Sequence, residues 1–546
     1  MFELSPTKYG ADLPANFLPA ALPVLQAGPG QITLPMVLAD RATGIRMLSV
    51  PERTLAKPRA MAKIMADAGG GPNLGVPAEG PPPSEKAAAI GIIDTGIGFW
   101  NPVFSGAGTS EFEGMAFLEY DDQSSSFAAK TLSKGKLDAM KATGRLPGGH
   151  RKVRAQLGQR YPSSVYGPFD GKGPLLEADA FSHGTAMAHL AAGAASGPRP
   201  LFGLDLPAIV LRDSTGWLLQ GAVAQAVTHL VKMMSKAVGP DAPFVVLLAF
   251  AFPGAPQDTQ QAAAVTIARV LEGFADKGRS VTVIVPTGNH LRQRGHWVLP
   301  PARAKDAALQ WRILPDDHSA NTIDLLHREA EPPLTITAPD GSSARLSNAP
   351  VHLIKKGRDV VGAVWTSDAG DGAFRTRITL APTAGPGAIR APAGRWHIQL
   401  DTDKGASAWV IRDDTTLATR RLRPFRQSWF EDLAYRDRQA NIWHAVDDDV
   451  HPDSHVRRLG TASVLAASGG ARIVSVSAAW SPNGRDSFVA PYSGQFATDS
   501  GCTSAEEIVG HGRPYRGVPA VGTGTARRFR VNGTSVAAAL HAGELA

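Results

Sequence analysis

Residues 88–97 read Ala88-Ala89-Ile90-Gly91-Ile92-Ile93-Asp94-Thr95-Gly96-Ile97: a short, unbroken apolar run that ends on an acidic residue and a turn. A continuous apolar run of this length marks a strand buried on both faces, as in a parallel sheet. Ligands of such sheets sit outside the C-terminal strand ends, and that is where Asp94 is delivered. Similar runs recur at Leu206–Leu211, Phe244–Phe250, Val281–Val285 and Ile473–Ala478. Between them, Leu219, Val223, Ala226, Leu230, Met234 and Val238 step by three or four, which predicts a helix with one apolar face. Ile267, Val270, Leu271 and Phe274 repeat the pattern, and Gly278 stands where a left-handed residue closes a helix. Strands alternating with helices predict an α/β fold, a doubly wound parallel sheet with helices on both faces.

Residues 310–415 carry a different period. Phe374, Thr376, Ile378 and Leu380 alternate with Arg375, Arg377 and Thr379, and Trp396, Ile398 and Leu400 alternate with polar residues. Turn signals such as Pro339-Asp340-Gly341 and Ala393-Gly394 separate short strands. This predicts an all-β sandwich set into the α/β fold. Four sections follow: an N-terminal extension and linker at 1–86, a first α/β segment at 87–309, the inserted sandwich at 310–415, and a second α/β segment at 416–546. The end of the first section, from Gly69-Gly70-Gly71-Pro72 to Pro81-Pro82-Pro83-Ser84, reads as a linker. Its earlier apolar patches, Ile32 to Leu38 and Met47 to Val50, read as surfaces that pack on a neighbour.

Bulk composition narrows the function classes. Of 546 residues, 43% are apolar and 19% charged, as in a soluble globular protein with a large core. The net charge of +7 is small for this length and argues against a dedicated nucleic-acid binder. The Arg527, Arg528, Arg530 cluster reads as a solvated basic loop. One cysteine, Cys502, excludes an intrachain disulfide and leans towards a reducing compartment. Glu3, Asp12, Pro14, Pro19 and Pro23 interrupt any secretory pattern, and no apolar run reaches membrane-spanning length. The expectation is a cytoplasmic protein with neither membrane nor nucleic acid as partner.

Three segments carry candidate chemistry: Asp94-Thr95-Gly96; Ser182-His183-Gly184-Thr185-Ala186-Met187-Ala188; and Asn532-Gly533-Thr534-Ser535-Val536-Ala537-Ala538. Singly, each reads as a turn or cap. Together, and in this order, they resemble the D-T-G, H-G-T-x-x-A and G-T-S-x-A-A motifs of the subtilisin-like serine proteases, whose triad runs Asp, His, Ser along the chain. Pro286-Thr287-Gly288-Asn289, after the Val281–Val285 strand, resembles the family's strand ending in Gly-Asn. The resemblance covers 87–300 and about 455–546. It implies a subtilisin-like fold and a serine endopeptidase acting on proteins or peptides. Asp94, His183 and Ser535 would then be catalytic, with Asn289 as an oxyanion donor. It also implies substrate contacts at Ala249, Phe250, Ala251, Gly288 and Thr534. Phe250 and Phe252 read equally well as core residues. Gly96, Gly184 and Gly533 read as glycines needed where a Cβ would crowd the site.

The match is incomplete. Ala539 stands where the family usually has Pro, and the basic section Lys134 to Arg160 reads as a mobile loop over the site. The predicted sandwich resembles the jelly-roll insertion of the spore-germination Csp proteases and related bacterial subtilases, and such a module could bind a regulatory partner, as could residues 1–86. No cofactor is required. Asp447-Asp448-Asp449 offers carboxylates for a structural calcium but reads better as an acidic turn, so no metal site is assigned. The competing reading is a catalytically silent or partner-gated regulatory protein on the same scaffold. A nucleotide-binding loop is excluded, because neither Gly-x-Gly-x-x-Gly nor a P-loop pattern is present.

Overall fold

The computed structural model describes, by backbone alone, the strands Phe2–Thr7, Leu25–Gln26, Gln31–Met36 and Arg46–Pro51. It then describes residues 88–546 apart from 106–108, 122–125, 168–181, 213–216, 240, 252–269, 271, 275–277, 302–307, 318, 347–350, 371, 385–388, 412–425, 436–452, 463–471, 482–487, 491, 496–502, 510–517 and 522–527. The Gly/Pro-rich linker, Phe252 and Asp447 to Asp449 therefore lie outside the described residues.

The apolar runs assemble as a parallel sheet. Arg472–Ser481, Val281–Pro286, Phe244–Leu248, Ala89–Asp94, Pro200–Asp205 and Glu111–Asp121 lie side by side in that order, each pair parallel. Ser126–Thr131 closes one side antiparallel. On the other, Phe488–Val489 (antiparallel) and Thr503–Val509 (parallel) pair with Arg472–Ser481. Alternate residues of these strands feed two separate cores. Ile90, Ile92, Val245, Leu247, Ile284 and Val476 pack with helices His183–Ala194 and Thr534–Glu544. Ile93, Val246, Leu248, Val283 and Val285 pack with helix Trp217–Ala237. Helices thus cover both faces, which is why these strands carry no polar alternation.

Two sequence expectations are corrected. Leu206–Leu211 is not a strand; the strand is Pro200–Asp205 just before it, and the run continues into the short helix Ile209–Arg212. Pro207 has no N–H for a ladder. The flanking amides of Leu206 and Ala208 donate instead to the carbonyls of Asp94 (2.8 Å) and Ser163 (2.7 Å). Nor is the basic section Lys134 to Arg160 a loop. It forms helices Lys134–Gly144 and Gly149–Arg160, whose Leu137, Met140, Val153 and Leu157 enter the core with Trp100 and Tyr161. The narrow apolar stripe is hidden among basic residues, and Lys141 itself is buried, its Nζ donating to the Phe112 carbonyl at 3.1 Å. Gly278 does adopt the expected left-handed conformation, φ 74°.

The alternating segments form two antiparallel sheets. One runs Phe2–Thr7, Val351–Lys356, Asp359–Gly370, Ala373–Leu380, Asn321–His327, Ala406–Val410, His296–Leu299; the other runs Ser343–Arg345, Leu334–Thr337, Gly394–Leu400, Ala308–Ile313, Trp429–Glu431. They enclose one core around Trp311, Trp365, Trp396, Ile323 and Ile378. The first strand of the chain, Phe2–Thr7, pairs antiparallel with Val351–Lys356 and so belongs to this β-rich region. Among the described residues no helix is long and apolar enough to cross a membrane.

Candidate active site

Two strands and two helices converge at the C-terminal edge of the parallel sheet. Asp94 is the last residue of its strand and is buried; its Oδ1 accepts the Thr95 amide at 2.7 Å. Helix His183–Ala194 starts at this strand end. Ser182 caps it, its hydroxyl accepting from the Thr185 amide, and the Gly184 amide donates to the Thr95 carbonyl at 3.1 Å. A Cβ on Gly184 would stand 2.7 Å from that carbonyl and 3.0 Å from the Asp94 Cβ, so only glycine lets the helix come this close. The result is a 2.7 Å hydrogen bond between His183 Nδ1 and Asp94 Oδ2. An ionised carboxylate only accepts, so Nδ1 carries the proton and Nε2 is left as the basic nitrogen.

The second strand ends at Pro286, and Asn289 follows it, exposed to solvent. Its Oδ1 accepts from the Thr534 amide at 2.8 Å and the Thr534 hydroxyl at 3.1 Å; a backbone N–H can only donate, which fixes the amide orientation and leaves Nδ2 as the open donor. Thr534 Oγ1 also accepts from the Gly288 amide at 3.0 Å. Gly533, φ 141°, caps helix Thr534–Glu544, and a Cβ there would stand 3.1 Å from Asn289 Nδ2. Ser535 is the second residue of this helix, half-buried, and its amide finds no acceptor among the described residues. The His183 and Ser535 helices pack parallel: Gly543 lies against the Ala191 backbone, and both N-termini sit at the same sheet edge.

The fold has a likeness among solved structures. The fold is similar to that of the Clostridium perfringens CspB protease, with TM-score 0.51 and 15% identity over 84% of this chain and 82% of that one. A second match, the Bacillus licheniformis lipase BlEst2 in its propeptide form, has TM-score 0.16 and 8% identity over 62% of this chain and 78% of the lipase, too distant to bear on the fold. No family model matches the chain, and no curated protein matches it in sequence. The likeness to CspB protease is therefore one of fold.

The remaining sequence candidates separate by position. Ala249 is fully buried in the core under the His183 helix, and Phe250 packs half-buried on the opposite core. Ala251 and Gly288 face each other next to Asn289; Gly288 is buried and left-handed, φ 94°. Thr534 is buried beneath Asn289, with both its donors spent on it. Among the described residues, Ser535 Oγ makes no hydrogen bond to His183. Such bonds are often loose without substrate and tighten when it binds.

Sequence reasoning missed a group of buried polar residues behind Asp94. Asp205 is 1% exposed; burial above all pushes its carboxyl well above the usual carboxylate range. Tyr166 is also buried, and burial again raises its phenol. His290, next to Asn289, is braced by a 2.5 Å bond between its Nε2 and the Thr461 carbonyl. Asp205 was legible in principle, since like Asp94 it is an acidic residue closing an apolar strand. Placing the strand six residues late hid it. Among the described residues no group of three or more His, Cys, Asp or Glu side chains could hold a metal ion.

Proposed function

We propose that this protein is a serine endopeptidase that cleaves protein or peptide substrates through an acyl-enzyme. The observation that carries this reading is the 2.7 Å Asp94–His183 bond, at the same sheet edge as an Asn289 amide whose donor end is turned outward beside the Ser535 helix N-terminus. A serine hydroxyl attacks only when a base takes its proton, and His183, held by Asp94 through Nδ1, would present Nε2 as that base. Asp94 holds the ring in that tautomer and stabilises the imidazolium without itself taking the proton. As the carbonyl becomes tetrahedral, negative charge grows on its oxygen. Asn289 Nδ2 and the Ser535 amide, at the positive end of a helix, are the donors for that charge. His183 then returns the proton to the leaving amine, and water repeats the sequence to release the acyl group. Thr534 acts by holding Asn289 rather than by touching substrate, whereas Ala251 and Gly288 border the site where a substrate side chain enters.

The deciding experiment is labelling with a fluorophosphonate, intact protein against Ser535→Ala. Labelling of the intact chain and none of the variant supports the enzyme. No labelling of the intact chain, alone or with a peptide substrate, leaves the catalytically silent reading.

A further inference from the structure

Asp205 ends the strand beside the one that ends on Asp94. The two acids are register partners in the parallel pair, and the Leu206 amide donates to the Asp94 carbonyl at 2.8 Å. Register partners on neighbouring strands present their side chains to one face of the sheet, here the face covered by the His183 helix. Asp205 Oδ2 accepts the Ile97 amide at 2.9 Å. Its Oδ1 is buried and has no hydrogen-bond partner among the described residues. From the other side, the hydroxyls of Ser182 and Thr185 both donate to the Gly96 carbonyl, Thr185 at 2.8 Å. Thr185 Oγ1 also accepts the Gly98 amide at 2.8 Å. The turn after Asp94 is therefore clamped twice: by the first turn of the His183 helix at the Gly96 carbonyl, and by Asp205 at the Ile97 amide.

Resting on the reading that Asp94 and His183 are catalytic, we propose that Asp205 is a positioning residue: by accepting the Ile97 amide it fixes this turn and, through it, the aim of the Asp94 carboxylate at His183. Thr95 links the two directly, because its amide holds Asp94 Oδ1 while its own carbonyl anchors Gly184. Its surroundings push the Asp205 carboxyl towards the neutral form. Burial disfavours its charge first; the amides of Ile97 and Gly96 oppose that, while the neighbouring Asp94 and Glu119 carboxylates reinforce it. The buried Tyr166 phenol also faces it, its own pKa raised by burial first and by the nearby Asp205 charge second. A neutral carboxyl and a carboxamide present the same carbonyl acceptor in nearly the same volume, so Asn can replace Asp205 and Ala cannot.

The test compares Asp205→Asn and Asp205→Ala by two readouts: steady-state hydrolysis, and the titration of the His183 ring followed by NMR in a Ser535→Ala background. In Asp205→Ala, kcat falls about 10²-fold with KM nearly unchanged, the scale expected when a reacting group is displaced by about 1 Å. The His183 ring also titrates at lower pH, because the Asp94 carboxylate no longer sits on its Nδ1 proton. Asp205→Asn restores both. Should Asp205→Ala not fold, Asp205→Ser, whose hydroxyl is too short to reach the Ile97 amide, carries the same expectations. An unchanged His183 titration in the Ala or Ser variant overturns the proposal, as does an Asn variant as impaired as Ala. If Ser535→Ala instead leaves hydrolysis intact, the catalytic reading falls, and the His183 titration still reports whether Asp205 aims Asp94.

Discussion

In the central sheet one group of buried polar side chains gathers at the C-terminal edge, and in the inserted sheets such groups close on each other. Asp94, Ser182, Thr185, Asp205 and Thr534 all lie at the C-terminal strand ends, where each spends its bonds on a turn or a helix start beside an exposed opening. In the β-rich region Arg377 and Asp324 pair across neighbouring strands, both side chains fully buried, with the guanidinium 5.8 Å from the Trp365 ring. Thr322 meets Thr379 at 3.0 Å, and His327 meets Thr376 at 2.7 Å. Polar groups that satisfy one another stiffen a core and offer nothing to a ligand, whereas polar groups held by backbone, with one end left over, make a site.

Substitutions on either side put that contrast at risk. Asp94→Asn should lower kcat about 10⁴-fold by holding His183 in the wrong tautomer, while the thermal transition stays nearly unmoved. A variant of near-normal turnover would move the chemistry elsewhere. Asp324→Ala should do the reverse, removing about 3–5 kcal/mol of stability by stranding the buried Arg377 charge and leaving turnover of the folded fraction unchanged. Urea unfolding followed by tryptophan fluorescence, alongside activity at low denaturant, checks both halves. Asn289→Leu should cost about 10²–10³-fold in kcat, roughly 3–4 kcal/mol of transition-state stabilisation, with little change in KM. A loss confined to KM would mean that the amide contacts substrate in the ground state.

The smallest effect is a pH dependence of the β-rich region. His296, stacked 4.9 Å from the Trp409 ring, donates from Nδ1 to the Leu459 carbonyl; burial lowers its pKa to about 4. Burial lowers His327 to about 4 as well. Both values lie below the 6.5 of an ordinary histidine, so folding holds the rings neutral. Their contribution is complete above pH 6.5 and is lost as pH falls through this window towards 4, about 3 kcal/mol for each ring at most. The unfolding free energy measured across that range should fall, and His296→Gln with His327→Gln should flatten it. An unflattened profile would move the acid sensitivity to the carboxylates of the central sheet.

The alternation of buried strands and helices, the alternating β segments and the three motifs were all legible in the sequence, because each is written in residues close along the chain. Period, turn chemistry and motif order are local properties. Long-range packing settled the rest. The helices of the basic section Lys134 to Arg160 became visible once Leu137, Met140, Val153 and Leu157 had a core to enter. The strand at Pro200–Asp205 was set by pairing with Ala89–Asp94, since Leu206–Leu211 is as apolar and differs only in where its amides find partners. The same pairing set Asp205 behind Asp94, more than a hundred residues away in sequence. Contacts of that separation depend on which strands become neighbours, and register is fixed by the packing of whole faces.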